Sequence, residues 1–184
     1  KFFVENSKSK LIVTNFVPPI YSPYGIFESK TNYGFQEMIY DLNHKLLVEF
    51  KNNPLVYVFD FNGFVTSFGQ NNVFDYRQYY LGDVKVSLEK IPYLANALMS
   101  YVKPILGLNK KCIVLDLDNT LWGGIIGEDG FNGIKLGHND PIGKSFIEFQ
   151  KYLLSLHERG IILAVNSRNN FDDAIKVIKE HPNM

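Results

Sequence analysis

Cys112-Ile113-Val114-Leu115-Asp116-Leu117-Asp118-Asn119-Thr120-Leu121 is the stretch from which the fold is read. An apolar, β-branched run climbs to two acids spaced one residue apart, then drops into a polar turn. Such a run predicts a strand buried on both faces, as in parallel sheets, with Cys112 as a small core residue inside it. In open α/β sheets, ligands bind just outside the carboxyl ends of the strands, where Asp116 and Asp118 fall. Side chains alternate along a strand, so the two carboxylates share a face if the strand stays regular. Two carboxylates aimed at one point are costly unless something cationic sits there. The bland alternative is a capping pair that merely ends a strand.

Working outward, Ile161-Ile162-Leu163-Ala164-Val165 predicts a second buried strand, running into Asn166-Ser167-Arg168-Asn169-Asn170. Between the two strands lie a glycine-rich flap, Trp122 to Gly137, and one helix. That helix starts at Asp140-Pro141, an N-cap followed by proline at the first helical position. Phe146, Phe149, Leu153 and Leu156 give it an apolar face, and Gly160 ends it. Asp172 and Asp173 suit the first turn of a following helix, whose dipole favours acids there.

Upstream, Lys10 to Asn15 predicts a short strand, and Pro18, Pro19 and Pro23 impose a loop. Phe35, Met38, Ile39, Leu42, Leu46 and Phe50 keep helical spacing. Leu55 to Asp60 predicts another strand, so strand, helix and strand form a parallel crossover. Gly69 to Gly82 reads as an aromatic loop. A helix follows from Ser87, with Ile91, Leu94, Leu98, Val102 and Ile105 inward. The basic turn from Leu106 to Lys111 divides the chain into expected domains 1–107 and 108–184. The fold class is therefore α/β in both parts, the second built on a parallel sheet.

Bulk properties exclude several functions. Acids and bases balance at 19 each in 184 residues, so nucleic-acid binding has no electrostatic support. One cysteine permits no disulfide scaffold and suits a reducing cytoplasm. No stretch is long and apolar enough to span a membrane. His44, His138, His157 and His181 show no ligand-like spacing, which argues against zinc.

The string Leu115-Asp116-Leu117-Asp118-Asn119-Thr120-Leu121-Trp122-Gly123-Gly124, followed by Gly127-Glu128-Asp129-Gly130, resembles the first motif of the haloacid dehalogenase (HAD) superfamily. It is similar to the FkbH-like branch, associated with moving a glyceryl unit from a phosphorylated three-carbon acid onto an acyl carrier protein. The resemblance implies a Rossmann-like parallel sheet and Mg2+-dependent phosphatase or phosphotransferase chemistry through an aspartyl-phosphate. Asp116 fits the nucleophile of such a reaction, and Asp118 the general acid and then base. The metal ligands implied are the Asp116 carboxylate and the backbone carbonyl at Asp118; Mg2+ favours hard oxygen donors and retained waters.

Ser167 corresponds to the serine that holds a phosphoryl oxygen in the second motif; its alternative role is an N-cap. Thr120, within the first motif, is a further candidate substrate contact. Arg168 and Asn169 either contact substrate or form a solvated loop. FkbH-like proteins commonly carry cysteine before this serine, and here Asn166 stands there. The third motif, a lysine, and the fourth, further acids, do not occur before Met184. Lys176 and Lys179 suit a solvated helix face instead. The resemblance thus runs from Lys111 to Met184, an expected first half of a catalytic domain. The short spacer leaves no room for a large helical cap before Ser167, so an open site is expected. It would admit a phosphorylated small molecule or a phosphate tethered to a carrier protein.

The first part is similar to the SGNH-hydrolase-like α/β domain that precedes FkbH-like catalytic modules. No Gly-Asp-Ser nucleophile occurs, and Asp75-Tyr76-Arg77-Gln78 has glutamine where the hydrolase histidine would stand. A binding or docking domain is the expectation there. The competing reading for the whole chain is a catalytically silent docking module for a carrier protein or phosphorylated ligand.

Overall fold

A computed structural model describes Asn6 and residues 8–184. The chain divides into two compact units, Lys1–Leu108 and Asn109–Met184.

In the first unit, β1 (Leu11–Thr14) pairs parallel with β2 (Val56–Phe59), Leu11 opposite Val56 and Thr14 opposite Phe59. The connection runs through a 3-10 helix at Gly25–Lys30 and α1 (Phe35–Phe50), the right composition for a crossover. None of the α1 residues is buried, and Phe35 and Leu42 of its expected inward stripe are 39% and 40% exposed. A two-stranded sheet offers too narrow a floor to cover a four-turn stripe.

Past β2 the structure departs from expectation. Helix α2 (Phe61–Phe68) begins at once, because the Asp60 carboxylate accepts from Gly63 N at 2.9 Å and caps it. The expected aromatic loop Gly69–Gly82 is mostly helical, as α3 (Gln70–Val73) and α4 (Tyr76–Gly82). Gly69, at φ +82°, makes the break between α2 and α3. Asp75 caps α4 by accepting from Gln78 N at 3.1 Å. Asp75 and Gln78 thus mark a helix start.

The aromatics fill the core of this unit. Phe59, Phe64, Val65, Val73 and Phe74 are buried, and Leu94, Ala97, Leu98 and Tyr101 of α5 (Ile91–Ile105) pack on them. The Phe59 and Tyr101 rings meet edge to face at 5.2 Å. Ile91, expected inward, is 42% exposed at the first turn of α5.

In the second unit, β3 (Cys112–Leu115) pairs parallel with β4 (Ile162–Val165), Cys112 opposite Ile162 and Leu115 opposite Val165. The glycine-rich flap holds a helix, α6 (Ile126–Gly133), kinked at Gly130 with φ +67°. Then come α7 (Pro141–Glu158), capped by Asp140 on Gly143 N at 3.0 Å, and α8 (Phe171–Glu180). Ile126, Ile134 and Leu136 anchor the flap in one core with Leu115, Leu117, Trp122, Ile147, Leu153 and Val177.

The strand expected to be buried on both faces is buried on one. Ile113, Leu115 and Leu163 meet the core, whereas Val114 and Ile162 are 63% and 62% exposed and Cys112 is exposed. The helical residues of the core all gather on the Ile113 and Leu115 side. Strand alternation then sends Cys112 and Val114 to the open side, so Cys112 is not a core residue. Among the described residues, no helix is long and apolar enough to cross a membrane.

The end of α8 carries a pH dependence. The His181 ring lies 5.4 Å from that of Phe131, and burial holds its pKa below the usual imidazole range. The folded state therefore prefers neutral imidazole. Its contribution is complete above the unfolded value of about 6.5 and is lost as pH falls below it. Urea unfolding of the wild type is expected to lose stability between pH 7.5 and 5.5, and His181→Gln to lose less. Equal losses in the two proteins would refute this account.

Candidate active site

Burial alternates beyond the end of β3: Leu115 and Leu117 are buried, Asp116 is exposed and Asp118 half-buried. Asp116 thus turns away from the core, and Asp118 sits at its margin. The chain then tightens, with Thr120 N and Leu121 N both donating to Leu117 O at 3.1 and 2.8 Å. Asn119 takes the left-handed conformation at φ +55°, which asparagine tolerates better than most residues. Its side-chain oxygen accepts from Gly124 N at 2.9 Å and closes the turn.

The two carboxylates are held differently. Asp116 Oδ1 accepts only from the adjacent Leu117 N, at 2.8 Å. Asp118 Oδ1 accepts from the Trp122 indole Nε1 at 3.0 Å and from Ile126 N at 3.1 Å. Each carboxylate keeps its Oδ2 free of protein donors among the described residues. The ion pairs there, Lys45 with Asp41 and Lys151 with Glu148, involve neither acid. Among the described residues, no cationic side chain pairs with either acid.

The second segment arrives at the same end of the sheet. Asn166 N donates to Leu115 O at 2.8 Å, extending the ladder one residue past β4. Parallel register therefore sets Asp116 beside Asn166 and brings Ser167 next in line. Ser167 is half-buried, and its Oγ accepts from Asn169 N at 3.3 Å. Asn169 is also half-buried, with a buried Nδ2 that has no partner, a donor left over for something else. Arg168 is exposed. Thr120 is half-buried in the first turn. The N-cap of α8 is Asn170, accepting from Asp172 N at 3.0 Å, rather than Ser167. Asp172 and Asp173 occupy the first turn, as expected, and their charge opposes an anion at that helix end.

Two participants went unassigned in the sequence reading. Trp122, completely buried, is a donor to Asp118, and Asn119 shapes the turn. The signal available was the four-residue spacing from Asp118 to a tryptophan, whose buried N–H must find an acceptor. For a metal, the residues present fit in part. No group of three or more His, Cys, Asp or Glu able to hold an ion forms among the described residues. The free carboxylate oxygens are nevertheless hard donors, and Mg2+ is commonly bound through one or two carboxylates with several waters.

Comparison with curated proteins finds no match. Among solved structures, the chain is similar to the N-terminal part of the protein BF1531 from Bacteroides fragilis, described as containing a phosphatase domain complexed with Mg. The TM-score is 0.88 at 32% identity, covering 98% of this chain and 48% of that one. This chain therefore spans about half the length of that neighbour. Residues 1–103 match the family described as FkbH, N-terminal domain, and the chain belongs to that family.

Proposed function

We propose that the chain is part of a Mg2+-dependent HAD-type phosphatase or phosphotransferase of the FkbH-like kind, with Asp116 as nucleophile. One observation carries the reading: two carboxylates, without cationic partners and each with one oxygen free among the described residues, stand at the carboxyl end of two parallel strands. The Mg-bound phosphatase neighbour supports it.

In this reading a free Asp116 oxygen attacks the phosphorus and the bond to the leaving oxygen breaks. Asp118 gives its proton to that oxygen through Oδ2, since Oδ1 is taken up by two N–H donors. An aspartyl-phosphate results. Asp118, now ionised, takes a proton from water, which attacks the phosphorus and frees Asp116. The Ser167 hydroxyl would hold a phosphoryl oxygen, with Thr120, Arg168 and Asn169 as further substrate contacts. Mg2+, held by the Asp116 carboxylate and the Asp118 carbonyl, would supply charge neutralisation on the phosphoryl group.

The second unit is then the first part of a Rossmann-like catalytic domain, and the first unit a docking domain. The acceptor is water or an acyl carrier protein receiving a glyceryl-type unit, in the cytoplasm. A second reading, a silent docking module, is favoured by the apolar side chains the first unit turns to solvent, among them Tyr21 at 82% and Ile26 at 87% exposed. Phosphate release from p-nitrophenyl phosphate by the full-length protein, with and without Mg2+, separates the two. Turnover that needs Mg2+ and vanishes in Asp116→Asn supports the enzyme; the same residual rate in both proteins leaves only docking.

A further inference from the structure

The geometry points to Trp122 as the positioning residue that fixes which Asp118 oxygen faces the leaving group, an inference that rests on the phosphatase reading. Trp122 is completely buried, and its neighbours are tied on both sides. Leu121 O accepts from Gln150 Nε2 of α7 at 2.7 Å. Gly123 exchanges two backbone hydrogen bonds with Lys135, at 3.0 and 2.7 Å. Gly123 also lies so close under Phe146 that an added Cβ would meet the ring at 2.9 Å. Strand end, flap and α7 thus clamp the indole, and it cannot turn its N–H elsewhere without repacking the core.

A buried indole N–H needs an acceptor, and Asp118 Oδ1 is the one it has, at 3.0 Å. Ile126 N, at 3.1 Å, takes the same oxygen. With Oδ1 accepting two N–H groups, Oδ2 alone remains to carry and deliver a proton. The Asp118 rotamer is therefore set by packing rather than by substrate. Trp122 touches neither phosphate nor leaving group in this arrangement and acts wholly through Asp118.

Site-specific replacement of Trp122 in the full-length protein by benzothienylalanine, an indole isostere lacking the N–H, changes one site and keeps its volume. Glycerol phosphate expels the poor glycerol alkoxide and depends on the acid to protonate it; p-nitrophenyl phosphate expels the stable p-nitrophenolate and hardly does. The isostere is expected to lower turnover of glycerol phosphate about tenfold or more beyond any change with p-nitrophenyl phosphate. The same factor on both substrates, or none on either, overturns the inference. A readout independent of turnover is the Trp122 indole N–H resonance in nitrogen-15 correlated NMR. Asp118→Ala should move it upfield, as expected on loss of a carboxylate acceptor; an unmoved resonance overturns the proposal too. A full-length wild-type protein with no Mg2+-dependent turnover on either substrate sinks the phosphatase reading instead, and the indole resonance then decides alone whether Asp118 is held.

Discussion

Asp116→Asn is expected to lower Mg2+-dependent phosphate release by about a thousandfold or more while leaving the urea unfolding midpoint unchanged. The separation follows from how Asp116 is held. It is exposed, and its one hydrogen bond is accepted from the next residue's N–H, at 2.8 Å. Asparagine keeps an oxygen for that N–H and fills nearly the same volume. What it loses is the negative charge and the nucleophilic oxygen, which a covalent route cannot do without. Removing an uncompensated exposed charge costs the fold little and relieves repulsion with Asp118. Steady-state assays on matched preparations, with unfolding curves on the same samples, check both halves. A variant retaining a tenth of the rate would mean that Asp116 is not the nucleophile.

Trp122→Ala is expected to destabilise the second unit by about 3–5 kcal/mol, the range for deleting a large buried aromatic. Trp122 is fully buried in the same core as Leu117, Ile126, Ile147 and Val177. Strand end, flap and α7 all close on it, so the cavity left behind has few ways to collapse. The substitution also frees Asp118 Oδ1 from its indole donor, a smaller loss because Ile126 N remains. A domain of this size has only about 5–15 kcal/mol in hand, so the variant should unfold at markedly lower urea. A loss below about 1 kcal/mol would show that Trp122 is not a packing centre.

These two residues mark how far the sequence could be read. Asp116 and Asp118 were legible because an apolar β-branched run ending in alternating acids is a local pattern, and period two places both on one side whatever packs below. Helices α1 and α7 were legible for the same reason, and Asp140-Pro141 announced where α7 starts. The stretch from Phe61 to Gly82 was not: its aromatics and glycines lack a clean helical period. What makes it helical is capping by Asp60 and Asp75, together with burial of Phe64, Val73 and Phe74 on β2 and α5. Cys112 shows the opposite error. Its apolar neighbours predicted burial, but a face is buried only if something packs on it, and the helices of this unit gather on the other side.

Backbone alternation and short-range periodicity were enough to read the strands, their direction of pairing and the placing of two acids at a strand's end. Only the tertiary structure decided that Trp122 grips one oxygen of Asp118, that Asn166 and Ser167 come up beside Asp116, and that Asn169 keeps a buried donor unspent. Trp122 lies only four residues from Asp118, but its burial, like the meeting of segments some fifty residues apart at one edge, draws its free energy from the shared core and not from either segment alone.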